Sequence, residues 1–539
     1  MLANIPILSL ITFSPLFGVL VLAFISSDNG KWIRRVGIAA TFIPLILSAW
    51  MYIDYSRSPG GTAYVERAEW VVASLYESSD VLSWFDNLQL KFTYTMAADG
   101  LSVPLVFLTA LIACMAAFAS TYIKKRWKTY YILFLLLETA MFGVFLAQDL
   151  FLFFVFFELT LVPTFFLIGI WGYKDREKAA NKFLIYNGVG SAVMLIAFLI
   201  IMATAGFTQL GNSLYFSSQL GDISANLFSQ SGDSYATSPE EGSPFFLSEG
   251  MKWTLFILLL AAFGIKLPIF PFHTWMLKVH AEAPPSVVMI HSGILLKMGG
   301  YGLIRFGMLL FPEQAADWGT VLAVMGVINI LYGAVLAFRQ TDFKLVLAYS
   351  SISHMGIVLL GIAALNDMGI QGAVFQMVSH GLISALLFLL VGGLYERTET
   401  TELARLGGLA KSMPFFCGVL MVAGLASLGL PGLSGFVGEL TAFLGLFESN
   451  RPAAILGAIG IILAAAYVLR AILAISYGPV NPQLPDVRDA RLTEVIPMIV
   501  LVAFIVLLGI YPSVVTQPMQ QTIGEIHQFL ATITTKVGG

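Results

Sequence analysis

The sequence predicts an all-α membrane protein of about fourteen transmembrane helices, built around two inverted five-helix repeats. Three observations lead there. Composition comes first: 58% of the 539 residues are hydrophobic and only 11% are charged, where a soluble chain carries roughly 25% charged residues. Next, the apolar residues fall in continuous blocks of about 18 or more, the length that spans a bilayer as a helix. A barrel would show alternation instead. The third observation is that basic residues collect in alternate loops.

In chain order the expected spans are 5–26, 35–53, 100–123, 129–147, 149–171, 181–205, 253–277, 284–310, 317–338, 343–364, 369–394, 412–447, 453–477 and 492–514. The first lacks a basic leader and reads as a retained helix, not a cleaved signal. The seventh contains "GIKLPIFPFHTW", with two prolines beside Lys266. The twelfth is too long for one straight crossing and contains "LGLPGLSGFVGE". Both are expected to be broken. Residues 516–533 read as a short amphipathic tail.

Nineteen of the 29 basic residues lie in the loops after odd-numbered spans, from Lys31, Arg34 and Arg35 to Arg488 and Arg491. The long loop 207–251 has neither Lys nor Arg. The positive-inside rule then puts the basic loops in the cytoplasm and both termini outside. Six more lie in the opposite loops and tail, and, with Lys182 and Lys344 counted with the loops they adjoin, four basic residues remain inside spans: Lys266, Lys297, Arg305 and Arg470. The clear intramembrane acids are Glu138, Glu158 and Glu439, and His291, His354 and His380 also lie within spans.

An ionised side chain at mid-bilayer costs about 2.5–3.5 kcal/mol on insertion scales, so such groups pair, face the bundle interior or line a wet path. The bland reading is a structural pair or a side chain reaching for the interface. That reading suits Arg305 and Arg470, and a satisfied interior histidine is common. Lys266 and Glu158 read as functional, as do Lys297 and Glu439. Lysine can take up or release a proton as a nearby carboxylate approaches or withdraws, which arginine cannot do. Broken backbone at membrane depth is tolerated where it is covered by protein or lines a cavity.

The two expected breaks lie five spans apart. Five is odd, so spans 4–8 and 9–13 would be copies of opposite topology, and paired interrupted helices in such halves point to a transport site. The domains expected are 1–123, with helices 1–3; 124–311, the first repeat, carrying the insert 207–251; 312–478, the second repeat; and 479–539, helix 14 and the tail.

Net charge is −3, and no basic tract suggests nucleic acid. Cys114 and Cys417 form no CxxC pair, which argues against cysteine-held clusters and haem. No glycine-rich phosphate loop is present, so no cofactor, no metal and no direct NADH binding are expected.

The stretches "FFELTLVPTFFLIGIWG", "FGIKLPIFPFHTWMLKVHAEAPPSVVMIHSGILLKMGGYGLIRF", "LAYSSISHMG" and "FQMVSHGLISALLFLLVGGLYER" resemble the antiporter-like membrane subunits of respiratory complex I, NADH-quinone oxidoreductase. The phrase "LVPTFFLIGIWG" and the glutamate at Glu439 resemble the M-type branch of that family. The resemblance implies a proton-translocating subunit with no redox centre of its own. NADH-to-quinone electron transfer would lie in partner subunits, the sister antiporter-like chains among its neighbours. It implies a coupling acid at Glu158, a proton carrier at Lys266, a connecting lysine at Lys297 and an exit-side acid at Glu439. His291, His354 and His380 would stand near the hydrated axis, and Glu138 is left without an assigned role. The expected location is the bacterial cell membrane, or an organellar inner membrane in a eukaryote. Two rivals remain at this stage: a subunit of an Mrp-type cation/proton antiporter, and a non-pumping scaffold.

Overall fold

The structure is a computed structural model that describes residues 5–76, 87–120, 123–210, 213–228, 236, 246–482 and 487–537. Parts of the expected insert, 211–212, 229–235 and 237–245, lie outside the described residues.

Helices α1 (Ile7–Phe24), α2 (Gly30–Arg57), α3 (Ser102–Ala119) and α4 (Trp127–Leu146) open the bundle. The fifth expected span is two abutting helices, α5 (Leu150–Leu159) and α6 (Leu161–Trp171), and α7 (Arg176–Ala205) follows. After the short α8 (Leu220–Phe228), the seventh expected span appears as α9 (Glu249–Lys266) and α10 (Thr274–Glu282). The eighth is one column made of α11 (Pro285–Ile290), a π-helical stretch His291–Leu295, α12 (Leu296–Gly302) and a second π-helical stretch Leu303–Met308. Next come α13 (Pro312–Asp317), α14 (Gly319–Arg339), α15 (Phe343–Ala363) and α16 (Asp367–Thr398). The twelfth expected span is α17 (Pro414–Ser427) and α18 (Ser434–Ser449), and the chain closes with α19 (Arg451–Ser476), α20 (Leu492–Ile510) and α21 (Ser513–Val537).

Twelve helices among the described residues are long and apolar enough to cross a membrane, against the fourteen expected. The difference has a physical origin. Each of the two expected spans missing from that set is split by a proline-containing turn into pieces too short or too charged to qualify alone. Several helices also outrun their apolar cores: α7 begins at Arg176, so Lys178 and Lys182 ride on it, and α16 carries Arg397.

The all-α class needs one addition, a four-stranded sheet of order β1-β2-β4-β3. Strands β1 (Ala63–Tyr76) and β2 (Asn87–Ala98) form an antiparallel hairpin between α2 and α3, while β3 (Phe207–Leu210) and β4 (Ser213–Ser217) come from the insert. β4 runs parallel to β2. These strands carry valine, tyrosine, threonine and phenylalanine, residues that suit a pleated surface.

Contacts between loops sort into two groups. Gln148 donates to the Thr95 carbonyl, Leu150 to Ser218, and Gly100 to Thr522, which joins the expected outer loops and the tail. Trp171 donates to Lys125, Lys128 to Ala23 and Ile25, and Tyr173 to Glu282, which joins basic loops at the other end. The column Pro285–Met308 and α16 are each 100% buried over their apolar windows, whereas α2 is 33% buried. The centre of the bundle is therefore the pair carrying Lys297 and His380. Large apolar side chains on the rim, such as Phe24 and Ile462, are exposed, as lipid or a partner would require.

Candidate functional site

The break after α9 is stabilised from outside its own helix. Asn329 of α14 accepts from Phe270 N at 2.7 Å through Oδ1 and donates to the Pro268 carbonyl at 3.4 Å. Trp275 Nε1 donates to the Ile265 carbonyl at 3.1 Å. Backbone groups freed by the prolines thus find side-chain partners, as membrane depth demands. Gly299 lets the central column press on this turn, since a Cβ there would lie 2.5 Å from Leu267 N.

Lys266, the last residue of α9, is 2% exposed and its Nζ has no hydrogen-bond partner among the described residues. The Nζ faces the Phe157 ring at 4.9 Å and the Phe183 ring at 5.8 Å. Glu158 acts on it electrostatically without coming into ion-pair contact, and Glu158 Oε1 is likewise buried and unpartnered.

Lys297 is fully buried. Its Nζ donates to the Ser292 carbonyl, which lies in the π-helical stretch just below it. π-Turns inside α-helices loosen the regular ladder and recur at functional sites. On its other side Nζ meets His380 Nδ1 at 2.8 Å. The His380 and His354 rings lie 5.2 Å apart, centre to centre. His354 Nδ1 stands 3.4 Å from Glu439 Oε1 and 3.2 Å from Gln376 Nε2, and its Nε2 is 3.5 Å from Ser427 Oγ. Lys297, His380, His354 and Glu439 therefore form one buried row across the column, α16, α15 and α18.

His291 does not join that row directly. Its Nδ1 meets His280 Nε2 at 3.0 Å, and its ring packs on Trp275 at 5.3 Å and on Phe183 at 6.0 Å. Phe183 also faces Lys266, so His291 lies on the side of the first break. Glu138 on α4 is fully buried, and both its carboxyl oxygens are without a partner among the described residues. Arg305 pairs with Asp99, and Arg470 donates to the Gln340 carbonyl at 2.5 Å.

Two residues of this region escape sequence reasoning. His280 lies beyond the expected end of the seventh span, although it follows His273, the N-cap of α10, by seven residues, a spacing that repeats on one helix face. Lys344, counted among loop residues, is 8% exposed at the start of α15, with Nζ 3.7 Å from the Tyr173 ring centre and 4.5 Å from that of Tyr395.

Known proteins resemble this chain in sequence and architecture. The family model described as NADH:quinone oxidoreductase/Mrp antiporter, TM, matches residues 147–464. NAD(P)H-quinone oxidoreductase chain 4 2 of Thermosynechococcus vestitus is 38% identical over 530 residues, covering 96% of this chain and 91% of that protein. NADH-quinone oxidoreductase subunit M of Rhodobacter capsulatus is 36% identical over 534 residues, covering 97% and 96%. A chain of respiratory complex I from Thermus thermophilus with bound NADH superposes with a TM-score of 0.80 at 27% identity, covering 97% of this chain and 99% of that one. A chain of the Mrp complex from Dietzia sp. shares the fold, with a TM-score of 0.78 at 20% identity over 98% and 99%. Matched over most of its length, with its buried lysines and broken helices inside the matched region, the chain belongs to the NADH:quinone oxidoreductase/Mrp antiporter transmembrane family, on its M-type, or chain 4, branch.

Proposed function

We propose that this chain is the proton-translocating M-type subunit of an NADH-quinone oxidoreductase, and that Lys297, His380, His354 and Glu439 carry the proton through its centre. The observation behind this reading is the 2.8 Å contact between Lys297 Nζ and His380 Nδ1, continued through His354 to Glu439. A protonated Lys297 donates to a neutral His380 Nδ1, so the proton has an acceptor in place. His354 offers the next step two arrangements. Neutral at Nδ1, it accepts from Gln376 Nε2; protonated, it donates to Glu439 Oε1. Electron transfer belongs to partner subunits of the complex, and sister antiporter-like chains are this chain's neighbours in the membrane. Electron transfer would reach this chain as a displacement or charge change at Glu158 and Lys266. A change in their separation alters whether Lys266 holds its proton, and His291 of the column, in contact with His280, packs on the same Phe183 ring that faces that lysine. Glu138 belongs to this set as a buried acid without a step of its own.

In this reading 124–311 and 312–478 act as two inverted repeats, each with a broken helix, supported by the matching interruptions after Lys266 and after Ser427. The relatives at 36% and 38% identity are oxidoreductase chains, which favours this function over a cation/proton antiporter. Sodium-dependent flux without NADH would favour the antiporter.

Lys297→Ala tests the reading. In assembled enzyme, proton uptake into inverted vesicles per NADH oxidised should fall several-fold, or turnover and uptake should collapse together. Full turnover with full uptake in an assembled variant contradicts the proposal.

A further inference from the structure

Polar groups on the central column do not stop at Lys297. Tyr301 and Arg305 follow at successive intervals of four, on the same face and toward the expected outer end. Tyr301 is 1% exposed and Arg305 is 7% exposed. The Tyr301 hydroxyl donates to the Phe145 carbonyl at 3.0 Å and accepts from Arg305 Nε at 3.2 Å. Arg305 Nη2 pairs with Asp99 Oδ2. Asp99 is itself fixed, because its Oδ1 accepts from Leu101 N at 3.1 Å and Ser102 N at 3.0 Å at the start of α3. The neighbouring Gly100 N donates to Thr522 Oγ1 of α21 at 3.0 Å, so the C-terminal helix lies across this mouth.

A ladder of polar side chains from a proton-carrying lysine to the outer end of its own helix is a short circuit unless something closes it. Arginine is suited to close it. The guanidinium neither gives up its proton nor accepts another near neutral pH, and a fixed positive charge opposes the passage of protons and cations. We infer that Arg305, held by Asp99 and Tyr301, is the outer barrier of the central column. It denies the proton on Lys297 a direct exit and leaves the lateral step to His380 as the open one. This inference rests on Lys297 being a proton carrier. The rival account is that the Asp99–Arg305 pair only ties α3 to the column.

Passive proton conductance separates the two. Assembled complex is reconstituted in liposomes, a pH gradient is imposed without NADH, and its decay is followed. Arg305→Gln should speed the decay several-fold and lower protons taken up per NADH. Arg305→Lys, which keeps a cation in place, should stay much tighter. Arg305→Gln combined with Lys297→Ala should return to the wild-type decay, because the leak runs through Lys297. Where Arg305→Gln lowers assembly, Arg305→Met, which removes the charge and keeps most of the side chain's length, carries the same comparison. Liposomes as tight as wild type with the charge-removing variants, or a leak that survives Lys297→Ala, would overturn the inference. Normal pumping by Lys297→Ala alone would instead remove the functional reading beneath it.

Discussion

Single acids behave differently according to what surrounds them, and Asp149 shows how. It stands between α4 and α5, where its Oδ1 caps α5 by accepting from Phe151 N and Leu152 N, and Ser218 Oγ donates to its Oδ2 at 2.5 Å. Burial still pushes its carboxyl above the ordinary range, outweighing those bonds, which act in the opposite direction. The folded chain therefore keeps a proton there over a pH interval in which the unfolded chain has lost it. Stability from this group is full below the ordinary carboxylate range and is lost as pH rises through the raised value. Thermal unfolding in detergent from about pH 4 to about pH 7 should show wild type losing midpoint relative to Asp149→Asn as pH rises. Parallel curves would contradict this. Individual residues were unevenly legible. Lys266, Lys297, Glu158 and Glu439 stand out because a charge in an apolar run is costly. Asp99, His280 and Lys344 do not, because each lies at the edge of such a run, where a polar residue carries no surprise.

The two broken helices tie sequence to site most directly. Pro268 and Pro271 end α9 beside Lys266, and Asn329, a polar residue inside an otherwise apolar helix, supplies the missing partners. Between α17 and α18 the turn depends on glycine: Gly429 has φ +77° and Gly432 has φ +92°. Gly429 has a second reason to be glycine, since a Cβ there would lie 2.4 Å from Glu439 Oε2. Gly429→Ala should therefore strain the turn by about 1–2 kcal/mol and also push Glu439 away from His354. The expected outcome is assembled enzyme with proton uptake per NADH reduced several-fold. Gly432→Ala, where a Cβ meets nothing within 4 Å, should cost stability without that loss of coupling. Equal coupling in the two variants would contradict the assigned contact. Proline and glycine inside apolar runs made both breaks readable. The sheet was not, because its strands β1 and β2 mix charged residues with valine and tyrosine and never form an apolar block.

Across the whole molecule, the two most buried helical elements carry Lys297 and His380. The column Pro285–Met308 and α16 are enclosed on all sides, with half-exposed helices such as α1, α2, α19 and α20 around them. The composition and the alternation of basic loops made this layered bundle legible. They could not reveal which helices are innermost, because lipid and protein interiors select the same apolar residues. Only charge placement hinted at it, by setting Lys297 inside one of the two most buried elements. The central claim is that movable protons on buried lysines connect a distant redox reaction to transport. Lys266→Ala in the native membrane tests it most directly, with assembly verified and NADH–quinone turnover and proton uptake into inverted vesicles read on the same preparation. The account predicts assembled complex in which both activities collapse or uptake per NADH falls several-fold. Full turnover with full uptake in assembled complex would contradict it.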